Sequence, residues 1–531
     1  MTTSMRGPDS RTVPWRAGNA LIGASDNLSP VCASALWEQG ITGSKTPQMP
    51  SAPYRYHFCY LAYHGFSFRM ISSSNLLGKL RARGFRVCLV CNDKADPVVT
   101  QYAAEHEIDV FEHSPPVGIW TRQYADTRKY YWENIDANPA LKEKHIHAMK
   151  NGRRIKVPLY IYWHLVNKLG VHIPSLRHRF MRKERRYLCS GPAESLLADI
   201  CPQNVVSTYP MDITEAQLLH AAAKQGIPTW IHLLSWDNIT SKGRFPQLAD
   251  NYIVWGNVMA QELREYYSIA ADKIHTCGVA HFDVHVDVRS ARGCSSCLPG
   301  LDMTKPYVFF GLSAPRYSPT EIDIVGKLAA DVERGVFGNE LQLVIRPHPQ
   351  IVRGQYSSGT WLKKLETIAQ TNRRTLVDMP DVVASRMPWN MARDDMQKLA
   401  TLIGQASVVV NSGSTLIVEA LFHDKPAIVC AFDLTPHDYW FSARRLADFL
   451  HLRKIIALGG ADRTDSYDDL IATIRLYLQD PDRNHALRRR ALLEECYLDD
   501  GQATERVVNC LIAHSLGGVV SHGQTLRSSR V

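Results

Sequence analysis

From His57 onward the chain alternates between two patterns. Short apolar runs with the length of buried strands are followed by segments whose apolar residues recur at helical spacing. Phe58–Ala62 predicts a first strand, His64–Arg69 a turn, and 70–82 a helix closed by Gly84. Arg86–Cys91 predicts a second strand. The rhythm resumes with strands over Asn204–Tyr209, Thr229–Leu234, 251–255 and 274–279, and a helix over 213–225. Tyr307–Leu312 opens a second series, with strands at 341–346, 406–411 and 426–431 and helices at 396–405, 482–497 and 502–515. Strands alternating with helices build βαβ units and parallel sheets, so the pattern predicts an α/β protein.

The breaks in the pattern divide the chain. Residues 1–53 are rich in Ser, Pro, Gly and Thr without apolar periodicity and are expected to be disordered. Residues 54–285 form the first expected domain. Within it, 115–190 reads as a helical insertion carrying Trp120, Tyr124, Tyr130, Tyr131, Trp132, Tyr160, Tyr162 and Trp163, most of them packing anchors. Residues 286–305, with Gly293, Pro299 and Gly300, read as a linker. Residues 306–480 form the second domain, 481–515 a pair of closing helices, and 516–531 a tail. No internal repeat is apparent.

A length of 531 residues exceeds one compact core. No apolar run reaches the ~18 residues of a membrane span, and the N-terminus lacks the pattern of a secretory signal. Twelve cysteines scattered through the predicted elements fit reduced thiols, and the expected location is cytoplasmic. Cys88 and Cys91 lie on opposite faces of a strand and Cys294 and Cys297 in the linker, so a joint zinc site is not expected. The formal charge of +9 is concentrated in 177–186, which holds six Arg or Lys against one Glu. That segment is either a solvated basic helix or a contact for an anionic acceptor or the inner membrane face. No nucleic-acid-binding module accompanies the charge, so nucleic acid is not an expected partner.

The candidate chemistry lies in loops that follow strands, where open α/β sheets bind ligands. Val408–Val410 leads through Asn411, Ser412, Gly413, Ser414 and Thr415 into a helix. Small hydroxylated residues at a strand-to-helix turn offer donors to a phosphate, and Gly413 admits one close to the backbone. Glu419, one turn on, has the reach to hold ribose hydroxyls. Upstream, the strand 343–346 ends in Arg346-Pro-His-Pro349: Arg346 pairs with a phosphate or is an ordinary strand-end charge, and His348 bonds a phosphate or base edge or caps its own loop. A third loop, Ser235-Trp-Asp-Asn-Ile-Thr-Ser-Lys-Gly243, presents Trp236, Asp237, Asn238 and Lys242. With Arg69 these form an expected acceptor or cleft surface, and Asp237 and His64 are the two candidates for a base that deprotonates an acceptor hydroxyl. Asp480-Pro-Asp482 and the pair Asp394-Asp395 sit at helix starts, where turn or cap roles are expected. No metal and no cofactor is expected, and activity should survive EDTA.

Arg346-Pro-His-Pro349 followed by Asn411-Ser-Gly-Ser-Thr-x3-Glu-Ala420 resembles the C-terminal domain of GT-B glycosyltransferases, above all bacterial surface-polysaccharide enzymes and CDP-glycerol glycerophosphotransferases. The Ser235–Gly243 loop resembles a loop of bacterial proteins in the same fold group, and the resemblance covers roughly 57–515. It implies two Rossmann-like domains facing across a cleft, with the last helices crossing back to the first. It also implies a nucleotide-activated donor and a saccharide or lipid-linked acceptor, as in capsule or cell-envelope synthesis. Many retaining GT-B enzymes carry a glutamate eight positions before the ribose ligand; Asn411 stands there, which favours inversion. A CDP-glycerol or CMP-sugar transferase and a binding protein without catalysis remain alternatives on this fold. A nucleotide-sugar 2-epimerase ranks lower, because its acidic, Gly-Gly helix start is absent from 411–420.

Overall fold

The computed structural model describes residues 54–131, 138–151, 161–162, 165, 169, 173–290, 298–354, 358–383, 387, 391–392 and 394–525. The expectations for 1–53, for Trp132, Tyr160 and Trp163, for Cys294 and Cys297, and for 526–531 lie outside these residues.

Two all-parallel sheets organise the chain. The first comprises β1 (Tyr56–Leu61), β2 (Val87–Cys91), β3 (Asp109–Glu112), β4 (Pro202–Ser207), β5 (Thr229–His232), β6 (Asn251–Val254) and β7 (Ile274–Thr276). Its spatial order is β3-β2-β1-β4-β5-β6-β7. The second comprises β8 (Tyr307–Gly311), β9 (Gln342–Arg346), β10 (Thr375–Val377), β11 (Val408–Asn411), β12 (Ala427–Cys430) and β13 (Asp462–Thr464), in the order β10-β9-β8-β11-β12-β13. Each order reverses beside its first strand, between β1 and β4 and between β8 and β11. Such a reversal opens a crevice at the carboxyl ends of the strands. This is the two-sheet α/β architecture expected from the sequence.

The central strands are buried on both faces, which is why they read as continuous apolar runs. Cys88 and Cys91 lie in different apolar cores, on opposite faces of the first sheet. The largest core is continuous across both halves and joins Leu218 and Trp255 to Leu421, Leu452 and Leu492. The helix expected over 70–82 is two helices, Gly65–Ser73 and Leu76–Ala82, separated by Asn75 in the left-handed conformation. His64–Arg69 is therefore a helix start and not a turn. β3, β10 and β13 were not expected: they are short edge strands with few apolar residues. The expected linker begins inside the helix Asp283–Ser290, and Leu298 and Leu301 near its end are buried.

Two closing helices tie the halves together. His485–Cys496 meets Asp424 of the second half through Arg488, and passes so close to Gly256 that a Cβ there would stand 2.4 Å from the Glu495 carbonyl oxygen. Ala503–Thr525, which extends past the expected end at 515, crosses back to the first sheet. Its Glu505 pairs with Lys79 and Arg83, and its Ser515 hydroxyl donates to Gln203. No helix among the described residues is long and apolar enough to cross a membrane.

The described part of 115–190 contains the helices Ile119–Tyr131, Pro139–Asn151 and Pro174–Leu188. Tyr124 stacks on Tyr187 at 4.6 Å, so it is a packing anchor, whereas Trp120 is 63% exposed. Arg182, Lys183, Arg185 and Arg186 are exposed on the third helix, while Glu184 is buried against Arg128. The second helix reaches the other half of the molecule: His147 stacks on Phe441 at 4.3 Å and Glu143 pairs with Arg445.

Candidate functional site

The loops at the carboxyl ends of both sheets converge on one cavity of ≈ 170 Å³. Asp237, Ser241 and Lys242 come from the loop after β5, and Ser313 and Tyr317 from the loop after β8. His348 follows β9, and Gly413 and Ser414 follow β11. The insertion adds Glu143 and Lys144, and the segment after β12 adds His451. A larger surface depression of ≈ 500 Å³ lies where the helices after β1 and β2 meet residues near 383–397; among the described residues Asp394 is its one ionisable lining residue. The cavity at the strand ends holds more ionisable side chains, among them Glu143, Lys144, Asp237, Lys242, His348 and His451.

Asp237 is saturated with donors. Ser235 Oγ and Ser241 Oγ each donate to it at 2.7 Å, and Lys242 Nζ lies 2.8 Å away. Burial opposes its charge, but the Lys242 ammonium, His451 and these hydrogen bonds outweigh burial and hold the carboxyl far below the usual carboxylate range. Lys242 is raised in turn, because Asp237 outweighs the cost of burying an ammonium. A carboxylate this acidic and this fully bonded is a weak proton acceptor. Trp236 is buried edge-on to His451 at 4.9 Å. Asn238 is fully buried, and neither its Oδ1 nor its Nδ2 has a hydrogen-bond partner.

The histidines here are neutral at pH 7. Burial, with Lys242 nearby, lowers His64 to about 4. Its ring packs edge-on to Tyr209 at 4.6 Å, and His64 is not part of the cavity wall. His348 is lowered to about 4 by burial and by Arg69. Its Nδ1 accepts the Gln350 amide at 3.1 Å, so it caps the helix Pro349–Val352, and its neutral ring carries the proton on Nε2. His451 is also lowered to about 4, chiefly by burial, and its Nδ1 lies 3.1 Å from Thr240 Oγ1.

Several residues expected at a phosphate are engaged by the protein itself. Arg346 presents one Nη to Asp378 and the other to Asp395, the latter at 2.6 Å. Lys398 completes the cluster on Asp378 at 2.5 Å, and Arg69 lies 3.6 Å from Asp395. Asp395, read as a cap, is therefore an ion-pair partner, and Asp394 makes no side-chain cap. The Gly413 and Ser414 amides donate to Asn411 Oδ1 at 2.6 and 3.0 Å. Gly413 has φ +127°, a backbone conformation that favours glycine, and a Cβ there would stand 2.6 Å from Leu452. Ser412 is turned inward to Glu321, which burial raises to about 7. Glu321 also accepts the Ser313 amide and so ties together the loops after β8 and β11. Glu215 does the same in the first half, accepting from Tyr63 after β1 and from Ser207, Thr208 and Tyr209 after β4.

Thr415 and Glu419 are bonded to each other at 3.4 Å, and Glu419 Oε2 lies 3.4 Å from His285 Nε2. Glu419 is buried beside the cavity rather than on its wall. The structure thus brings Asp237, Lys242, His348, Gly413 and Ser414 onto one wall. It leaves His64, Arg69, Arg346, Ser412 and Glu419 behind it. Lys144, Tyr317 and His451 were missed, because an isolated Lys, Tyr or His within a helix or loop has no distinguishing local pattern.

No family model matches the chain, and no curated protein matches it. Solved structures do. A Listeria monocytogenes protein provisionally named UDP-N-acetylglucosamine 2-epimerase is 11% identical, with 86% of this chain and 96% of that one aligned at a TM-score of 0.51. S. aureus MnaA, solved with UDP, is 10% identical over 86% and 95% of the two chains at 0.50. A glycosyltransferase from Rickettsia africae is more distant, 9% identical over 89% and 98% at 0.41. The likeness to the first two, together with the two parallel sheets and the crossing-back helix, shows that this chain has the GT-B fold.

Proposed function

We propose that the chain is a metal-independent transferase that moves a glycosyl group from a nucleotide-activated donor to a saccharide or lipid-linked acceptor in surface-polysaccharide synthesis. One observation carries the reading. A cavity at the strand ends of both sheets joins two lysines, Lys144 and Lys242, to the Gly413–Ser414 turn and His348. The strand-end loops that form it also hold buried polar atoms without hydrogen-bond partners among the described residues: His64 Nδ1, both polar atoms of Asn238, and Asn411 Nδ2. Each such atom costs about 1–3 kcal/mol unless a ligand pairs with it.

In this reading Lys242, Ser414 and the Nε2–H of His348 take the donor phosphates. Fixed cations there stabilise the charge that develops on the departing nucleotide. Asp237 acts by positioning Lys242. Glu419 reaches the ribose once the halves part, because ≈ 170 Å³ is below the ~300–1,000 Å³ of a typical ligand site. His451 lines the cavity as a neutral imidazole, and when its Nδ1 donates to Thr240 its Nε2 lone pair accepts a hydrogen bond from the acceptor hydroxyl and orients it. The exposed basic face of Pro174–Leu188 supports an anionic or lipid-linked acceptor at the inner membrane face.

The test is turnover with UDP-, GDP-, CDP- and CMP-linked sugars, with and without lipid-linked acceptor, and with EDTA. Acceptor-dependent release of one nucleotide, unchanged by EDTA, is expected. Conversion of the sugar to its 2-epimer without net transfer would replace this reading with an epimerase. Binding without turnover would leave a nucleotide-sugar-binding protein.

A further inference from the structure

At the edge of the first sheet, β7 and the crossing helix bring three nitrogen and sulfur ligands together, with a fourth, Cys277, beside them, outside the cavity described above. His275 and Cys277 are two residues apart at the end of the strand and so share a face. Cys510 and His514 are four apart on Ala503–Thr525 and so share a helix face. One ligand atom each from His275, Cys510 and His514 lie within 4.8 Å of one another. Cys277 is the neighbour of this trio, its thiol beside that of Cys510. None of the four lines the cavity.

The rings are already oriented. His275 Nε2 lies 3.2 Å from Asn251 Oδ1, and His514 Nδ1 lies 2.9 Å from the Cys510 carbonyl oxygen. Nδ1 of His275 and Nε2 of His514 are thereby left as lone-pair donors. Holding the second ring nitrogen on an oxygen is how proteins fix metal-binding histidines. Trp230 packs against both rings, at 5.4 and 5.0 Å between centroids. Cys277 is buried, Cys510 half-buried and His514 exposed, so the cluster is open on one side.

We propose that His275, Cys277, Cys510 and His514 form a four-ligand site for a thiophilic divalent ion of the zinc class, which staples the crossing helix to the first sheet. Two imidazoles and two thiolates make a tetrahedral set that suits zinc. Bond lengths of about 2.0–2.3 Å place ligand atoms about 3.3–3.8 Å apart. His275, Cys510 and His514 therefore draw in by at most about 1.5 Å on binding, the Cys277 thiol joins them, and each thiol gives up its proton to solvent. The competing chemistry is a Cys277–Cys510 disulfide, which requires an oxidant and excludes the metal.

The test uses the full chain, reduced, stripped with chelator and titrated with Zn(II) and Co(II). One equivalent per chain is expected, with thiolate-to-cobalt charge-transfer bands, the intense visible absorption of a tetrahedral site, and a higher thermal midpoint with zinc. Cys510→Ser and His514→Ala should each weaken binding at least tenfold. Comparing each variant with and without zinc against its own chelator-treated thermal midpoint separates ligand loss from lost packing of His514 on Trp230. Three results would overturn the proposal: no stoichiometric uptake by the reduced protein, unchanged affinity in both variants, or a Cys277–Cys510 crosslink in the purified protein with no metal.

Discussion

Asp237 accepts from two serine hydroxyls and a lysine ammonium, and that geometry decides what it can do. A base must be able to take up a proton in the working pH range, and this carboxyl is held ionised well below it. We therefore expect Asp237→Asn to cut activity by tenfold or more by releasing Lys242, because a hydrogen bond to a charged group contributes about 1.5–3 kcal/mol. The acid limb of the kcat/KM pH profile should not move. A limb displaced or abolished in the variant would restore Asp237 as the base. Lys242→Arg should recover part of the activity in the wild-type background of Asp237, whereas Lys242→Met should not.

At the scale of elements, one carboxylate of the first half caps the start of the last helix. Asp283, at the start of the helix Asp283–Ser290, accepts the Ala503 amide at 3.0 Å, the Thr504 amide at 2.8 Å and the Thr504 hydroxyl at 2.6 Å. It does for Ala503–Thr525 what an N-cap residue does, but from a distant part of the chain. The helix it starts also reaches the second sheet, where Arg289 donates to the Phe422 carbonyl and His285 meets His423. Asp283→Ala should cost about 0.5–2 kcal/mol, the usual loss for a cap. Denaturant unfolding measures it, and Asp283→Asn should retain part of the effect. A variant as stable as wild type would mean that the crossing helix is held by its packing and by its contacts to Lys79, Arg83 and Gln203 without the cap.

For the whole molecule, buried ionisable groups set the response to pH. Burial lowers His64, His232, His348 and His451 to about 4 and His423 to about 2. A histidine lowered in the fold contributes stability that is present above its unfolded pKa of about 6.5 and is lost as pH falls through the folded value. Burial also raises Glu215 and Glu321 to about 7 and Glu495 to about 8. A glutamate raised in the fold acts the other way: its contribution is present below about 4.3 and is lost as pH rises through the folded value. Each group shifts stability by about 1.36 kcal/mol per pH unit within its window. The five histidines outweigh the three glutamates, so the thermal midpoint should fall steadily from pH ~6.5 to ~4.5. A midpoint that is flat or rises across that range would contradict the neutral state of these histidines.

The local pattern of the chain was enough to determine both parallel sheets. Strands such as Val408–Asn411 are buried on both faces, and burial on both faces requires an unbroken apolar run. It also located loops that line the cavity, because the carboxyl ends of strands open there, and the helix that crosses back. Edge strands such as β10 and β13 are short and partly polar, and no run marked them. Which polar side chains remain available to a ligand was decided only in three dimensions. Arg346 is taken up by carboxylates 32 and 49 residues away, Ser412 by Glu321, and the Gly413 and Ser414 amides by Asn411. The physical reason is one of range. Apolar periodicity is a property of neighbouring residues, whereas the partner of a buried charge is whatever the stacking of distant strands brings within about 3 Å.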